Sequence, residues 1–236
     1  MRRTVRAARV LIAPVALMLS GAAQAQLGAT VSVESDYRFR GVSLSESKPA
    51  WRLTVNHDFM SGAYAGASAT SVEIARGDRY SQFVGYAGYV TRPVDGRSLE
   101  FGASYSHFTG DSSYDYAEAY AGVLAERWSL RVHYAPDYFG RGVQTAYVDA
   151  NAHWPINEHV RLFGHTGALV PLAGRAFGPD DSRDKQTRFD LRLGLGVSAG
   201  LFDVQLAWVE ASRGGPYPAV YASRRSTWQL SALLSF

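Results

Sequence analysis

Charged and polar side chains occupy every second position along several stretches of this chain. Arg131 and His133 alternate with Leu130 and Val132, Asp149 and Asn151 with Val148 and Ala150, and Arg192 with Leu191 and Leu193. Charges in the middle of such stretches, all on one face, suit a surface that lines water. Facing each other across an interior, rows of both signs set ion preference as charged rings do in pores, or they bond across the space and fill it. The candidate lining residues are Arg38, Arg52, Glu100 and Glu118, with Arg131, Asp149, Arg161 and Arg192. Glu34, Asp36, Asp58, Arg188, Asp190 and Asp203 share that facing.

A second chemistry uses the histidines. Hydrolysis needs a nucleophile in reach of a base that a third group orients. His133, His153 and His165 lie on the polar face, with Ser129 and Asp149 on nearby segments, but no G-x-S-x-G or H-E-x-x-H pattern accompanies them. No catalytic, cofactor-binding or metal-ligating residues are assigned. Cysteine is absent, so disulfides and thiolate metal sites are excluded.

The elements that must carry these residues are strands. After the first 25 residues no apolar run approaches the ~18 residues of a spanning helix, although 47% of the chain is hydrophobic and 13% aromatic. Segments of ~10 alternating residues separated by turns are instead the pattern of an antiparallel transmembrane β-barrel. The last ten residues show it well: Trp228, Leu230, Ala232 and Leu234 oppose Thr227, Gln229, Ser231 and Ser235, with Leu233 as the exception. Arg2, Arg3, Arg6 and Arg9, the apolar run Val10 to Leu19, and Ala23-Gln24-Ala25 read as a secretory signal peptide cleaved after Ala25, leaving residues 26–236 as one barrel domain. Without those four arginines the 24 basic residues fall to 20 against 21 acidic ones, so nothing here asks for nucleic acid.

Taken in order, the chain gives twelve strands, with ten or fourteen still open because the facing of residues 63–73 and 80–91 is ambiguous. Short turns follow even-numbered strands and longer polar loops follow odd-numbered ones, including Gly41 to Lys48, Ile74 to Arg79 and the charged stretch Pro171 to Gln186, a candidate constriction. That asymmetry places both termini at the short-turn end. A soluble β-sandwich would alternate too. Against it stand Trp51, Tyr105, Trp128, Trp154 and Trp208, which sit near strand ends on the apolar face, as interfacial girdles require.

The stretch Ser35-Asp36-Tyr37-Arg38-Phe39-Arg40-Gly41-Val42-Ser43, with Ser45 and Pro49-Ala50, resembles the opening of the TorF-type porins, a proteobacterial outer-membrane family. The resemblance implies an outer-membrane pore in a Gram-negative bacterium. Tyr37 and Phe39 are expected to face lipid, and Arg38 and Arg40 the lumen or its rim. The terminal strand ending in Phe236 is similar to the signature read by barrel-assembly machinery, the expected partner alongside outer-membrane lipids. The expected function is passive passage of small hydrophilic solutes or ions through a narrow charged lumen. The alternatives are a non-conducting structural or adhesive barrel and an outer-membrane lipid hydrolase.

Overall fold

A computed structural model describes residues 26–75, 78–91, 95–174, 185–217 and 225–236. The expected leader, and residues 175–184 of the Pro171 to Gln186 stretch, lie outside them. Among the described residues, twelve strands close into one antiparallel barrel. Strand β1 (Gln26–Glu34) is followed by two short strands that pair only with each other, β2 (Arg38–Phe39) and β3 (Val42–Ser43). The wall resumes with β4 (Ala50–Asp58), β5 (Ala63–Ala75), β6 (Asp78–Val90), β7 (Arg97–Phe108) and β8 (Tyr116–Ala125). It continues through β9 (Trp128–Ala135), β10 (Val143–Pro155), β11 (Val160–Gly174), β12 (Arg188–Ala199), β13 (Phe202–Ala211) and β14 (Ser226–Ser235).

Closure comes from β1, which pairs with β4 on one side and with β14 on the other; Val33 stands opposite both Trp51 and Ala232. The seam runs to the last residue, whose amide donates to the Ala29 carbonyl at 2.8 Å. Such a ring leaves no strand edge unpaired.

Every strand then sorts its side chains by alternation. Outward residues are apolar and exposed: Leu195, Leu206 and Leu230, opposite one another on β12, β13 and β14, are 46, 48 and 53% accessible. Aromatic side chains mark both ends of this face, with Trp128, Trp154 and Phe202 toward the short turns and Trp51, Tyr105, Phe189 and Trp228 toward the other end. A contiguous apolar surface of this kind is tolerated in hydrocarbon and not in water.

The two strands of ambiguous facing are resolved by pairing between tyrosine and glycine. Tyr64 and Tyr86 point inward, each opposite a glycine on the neighbouring strand, Gly88 and Gly66. A Cβ at Gly66 would stand 2.3 Å from the Tyr86 hydroxyl, so the ring lies flat on the wall only because that position has no side chain. Outward positions carry Phe83 and Tyr89 among small residues.

Two loops and the facing of two aromatics differ from expectation. The segment expected as an Ile74 to Arg79 loop is largely strand, since β5 and β6 stay paired at Val72 with Tyr80 and Glu73 with Arg79. The Gly41 to Lys48 stretch is not an outward polar loop, because Val42, Ser43, Leu44 and Ser45 are buried. Tyr37 and Phe39 do not face lipid: Tyr37 is 6% accessible, and Phe39 packs on the buried cluster that includes Phe139. Hydrogen bonds donated to Asp36, described below, outweigh the alternation that would have turned these aromatics outward.

A charge placed on the outer face tests the membrane assignment. Leu206→Arg is expected to lower stability in lipid vesicles by about 2–4 kcal/mol, and Leu206→Ile by well under 1.5 kcal/mol, as read by tryptophan fluorescence during urea unfolding.

Candidate functional site

The segment between β1 and β4 folds into the barrel and forms a lid. Asp36 organises it: Oδ2 accepts from Arg38 Nε at 2.6 Å, and Oδ1 accepts from the hydroxyls of Ser43 at 2.5 Å and Ser45 at 3.2 Å. The Ser45 hydroxyl in turn accepts from the Tyr37 amide at 2.9 Å, and the Leu44 amide donates to the Tyr37 carbonyl at 2.8 Å. The reversal between β2 and β3 sits at Arg40 and Gly41, both with positive φ, 49° and 74°. Gly41 is required there twice over, since a Cβ would come within 2.6 Å of Ala211 Cβ and 2.8 Å of Asp190 Cβ on the wall.

The tip of this hairpin is fastened across the lumen. Arg40 Nη1 and Nη2 donate to the two oxygens of Glu118 on β8, at 2.8 and 2.9 Å, with both residues under 10% accessible. The guanidinium carbon also lies 4.1 Å from the centroid of the Tyr147 ring, on β10. Burial opposes the charge on Arg40, but Glu118, with smaller contributions from Tyr138 and Tyr116, holds the guanidinium well above its usual range. At the base of the hairpin the Glu73 amide donates to the Leu44 carbonyl at 2.8 Å, and Tyr37 donates to Gln82 at 3.1 Å.

A second layer closes over the first. The turn at 138–140 brings in Tyr138 and Phe139, both fully buried, and Phe139 stacks on Tyr116 with centroids 4.9 Å apart. Tyr138 donates to the Tyr217 hydroxyl at 3.0 Å. Burial pushes the Tyr217 phenol up to about 12, so this layer is uncharged wherever the barrel works.

Beneath the lid lies a cavity of about 700 Å³. Four of the eight expected lining residues border it: Arg38, Arg52, Asp149 and Arg192. The other four are engaged elsewhere in the interior. Glu118 holds the lid; Glu100 accepts from Arg131 at 2.5 Å and from Tyr64 at 2.8 Å; Arg161 donates to both oxygens of Asp203, at 2.6 and 2.8 Å. A second cavity of about 420 Å³ is bordered by Ser129, His153 and Phe163. It shares Asn151, His165 and Arg192 with the first, so these three form the waist between the two. Their neighbourhood follows from register, because Asn151 stands opposite His165 and His165 opposite Arg192.

The histidines pair with carboxylates rather than with a nucleophile. His133 Nε2 lies 3.1 Å from Asp149 and His165 Nε2 2.9 Å from Asp190. Asn151 links the two pairs, donating to Asp149 at 2.7 Å and standing 2.8 Å from His165 Nδ1. Among the described residues neither imidazole has a serine or threonine hydroxyl within hydrogen-bonding distance. Sequence reasoning did not find Tyr138, Phe139, Tyr147 and Tyr217 as parts of the closure. The density of aromatics and glycines in Tyr138-Phe139-Gly140-Arg141-Gly142 was the available signal.

The family model Gcw_chp, described as a bacterial protein of unknown function, matches residues 19–230. No curated protein matches the sequence. Among solved structures, the KdgM porin aligns with a TM-score of 0.56 at 13% identity, covering 89% of this chain and 99% of its own. The NanC porin aligns with a TM-score of 0.59 at 11% identity, with the same 89% and 99% coverage. LpxR from Salmonella typhimurium follows with 0.52 at 8% identity, again covering 89% and 99%. At such identities the likeness is one of fold.

The lid anchor is open to a direct test. Glu118→Ala, which strands Arg40 in the interior, is expected to cost about 3–5 kcal/mol, and the double change Arg40→Met with Glu118→Leu to recover most of that loss. Urea unfolding of the refolded barrel would measure both.

Proposed function

Because the chain belongs to the Gcw_chp family of bacterial proteins, whose function is unknown, we propose its role from the barrel itself: a porin-like channel in the outer membrane of a Gram-negative bacterium. It passes small hydrophilic solutes or ions passively through a narrow charged lumen, and the 35–49 lid sets the conducting state. The observation that carries this reading is the polar cavity of about 700 Å³ inside an apolar-clad barrel, bordered by arginine, carboxylate and histidine and roofed by a single hairpin. A barrel serving only as a wall has no need of a wet interior this large. The resemblance of the opening motif to TorF-type porins, and the fold shared with the KdgM and NanC porins, agree with it. In this reading a leader cleaved after Ala25 delivers the chain, and the strand ending at Phe236 is what the assembly machinery reads.

One observation favours a second reading, the non-conducting structural or adhesive barrel: the lid packs into a continuous buried cluster with Phe108, Tyr116, Tyr138 and Phe139. The hydrolase reading has no such support: among the described residues, His133 and His165 meet carboxylates and have no serine or threonine hydroxyl within hydrogen-bonding distance.

The lid separates the two remaining readings. In planar bilayers, replacing residues 38–47 with a short Gly-Ser turn is expected to raise single-channel conductance several-fold above that of the intact barrel. A correctly folded shortened barrel that never conducts would establish the structural reading instead.

A further inference from the structure

The interior arginines are not equally partnered. Arg40, Arg131 and Arg161 each meet a carboxylate, on Glu118, Glu100 and Asp203. Arg192 does not: among the described residues its guanidinium reaches only the Gln205 side-chain oxygen, at 3.1 Å, and lies 4.9 Å from the Phe163 ring centroid. Its Nε is buried with no hydrogen-bond partner. Arg52, on another part of the wall four strand positions away around the barrel, is half partnered. Its Nη2 lies 3.3 Å from Glu34, while its Nε is likewise buried and unpartnered.

Two further polar atoms are in the same condition, Ser231 Oγ and His133 Nδ1, and all four residues border the same cavity. Buried hydrogen-bonding groups in folded proteins find partners in protein, water or ligand, and four such atoms on residues bordering one space give an incoming acceptor groups to meet. Guanidinium groups take planar oxyanions, a carboxylate above all. The charges around the space limit that anion. Glu34 is already met by Arg52 and by Gln229 Nε2 at 2.9 Å, which leaves the Arg192 charge as the unmatched one. Asp149 and Asp190 border the same cavity, where a second negative charge on the ligand would be repelled. The neutral remainder, with Ser231, Asn151 and Tyr147, suits hydroxyl groups.

We propose that Arg192 and Arg52, with Ser231 and His133, form a binding site in the lumen for a small organic anion that carries one carboxylate and several hydroxyls. The site reaches the waist at Arg192 and otherwise lines the larger cavity, so its occupant sits on the path of any solute. The proposal deepens the channel reading and rests on it, but binding is scored without conduction.

Isothermal titration of the refolded full barrel in detergent micelles tests it with three probes of one carbon skeleton: gluconate, singly charged; sorbitol, neutral; and glucarate, doubly charged. Gluconate is expected to bind with a Kd on the order of 1 mM, sorbitol not to bind measurably, and glucarate to bind more weakly than gluconate. Arg192→Gln should weaken gluconate by about tenfold or more, while Arg127→Gln, at the short-turn end, leaves it unchanged. Equal binding of gluconate and sorbitol, heat from neither, or tighter binding of glucarate would overturn the proposal, and these outcomes need no variant to fold. So would gluconate binding that survives Arg192→Gln in a variant with the wild-type strand signal by circular dichroism. A barrel that binds gluconate but never conducts sinks the channel reading and leaves the site standing; one that conducts without binding does the reverse.

Discussion

At hydrocarbon depth a peptide N–H or C=O has no water to turn to, and each must find its partner within the wall. The pairing of β1 with β14 meets that demand, because it turns an open twelve-stranded sheet with two bare edges into a ring with none. Once the ring is closed, alternation holds on every strand at once, so apolar side chains face out and polar ones face in. The exposed leucines of β12 to β14 and the buried carboxylates of Glu100, Asp149 and Asp190 are two results of one constraint.

A ring of twelve strands encloses more space than wall side chains fill on their own, since about eight strands is where filling comes naturally. This chain uses that space in three ways. Inward tyrosines lie flat against facing glycines, as Tyr86 does on Gly66. Charges pair across an intervening strand, as Arg131 on β9 does with Glu100 on β7 and Arg161 on β11 with Asp203 on β13. The rest of one end is taken by the lid, whose apolar residues make a small core of the kind found in soluble proteins. The unfilled remainder is the cavity, and its lining is polar because the positions beneath the lid belong to the inward face of the strands.

Most of the wall was legible in the sequence, and most of the lid was not. Strand number, closure and the facing of residues such as Arg131 against Leu130 follow from a period of two, which is a local signal. Residues 63–73 and 80–91 resisted because tyrosine and glycine share the inward face, as Tyr64 with Gly66 and Tyr86 with Gly88, while small residues and Tyr89 face outward, which blurs the contrast on which that period depends. The lid failed for a different reason. Alternation carried through Tyr37 and Phe39 predicts two lipid-facing aromatics, but the wall strand stops at Glu34, and Asp36 gathers Arg38, Ser43 and Ser45 into a separate hairpin. The partners of that hairpin, Glu118, Tyr138 and Tyr147, lie some 80 to 110 residues further along, and one sequence gives no sign of contacts at that separation. Glu118 is legible in the sequence as inward, either lining a path or bonding across the interior, but its pairing with Arg40 is not.

The way the lid is fastened bears on what it can do. A plug sealed by leucines would gain from every buried ångström and tolerate small shifts of position. One seated by a bidentate arginine and carboxylate is held in a single register, because any displacement leaves two buried charges unmatched. Such a pair gains little over apolar residues of the same shape, since the cost of removing both charges from water offsets much of their attraction. Arg40 and Glu118 therefore supply position more than depth of seal, and the aromatic layer of Tyr138, Phe139 and Tyr217 supplies the apolar cover. The lid is thus fixed in register by a charge pair whose net contribution is modest, and held in depth by the apolar cluster around it.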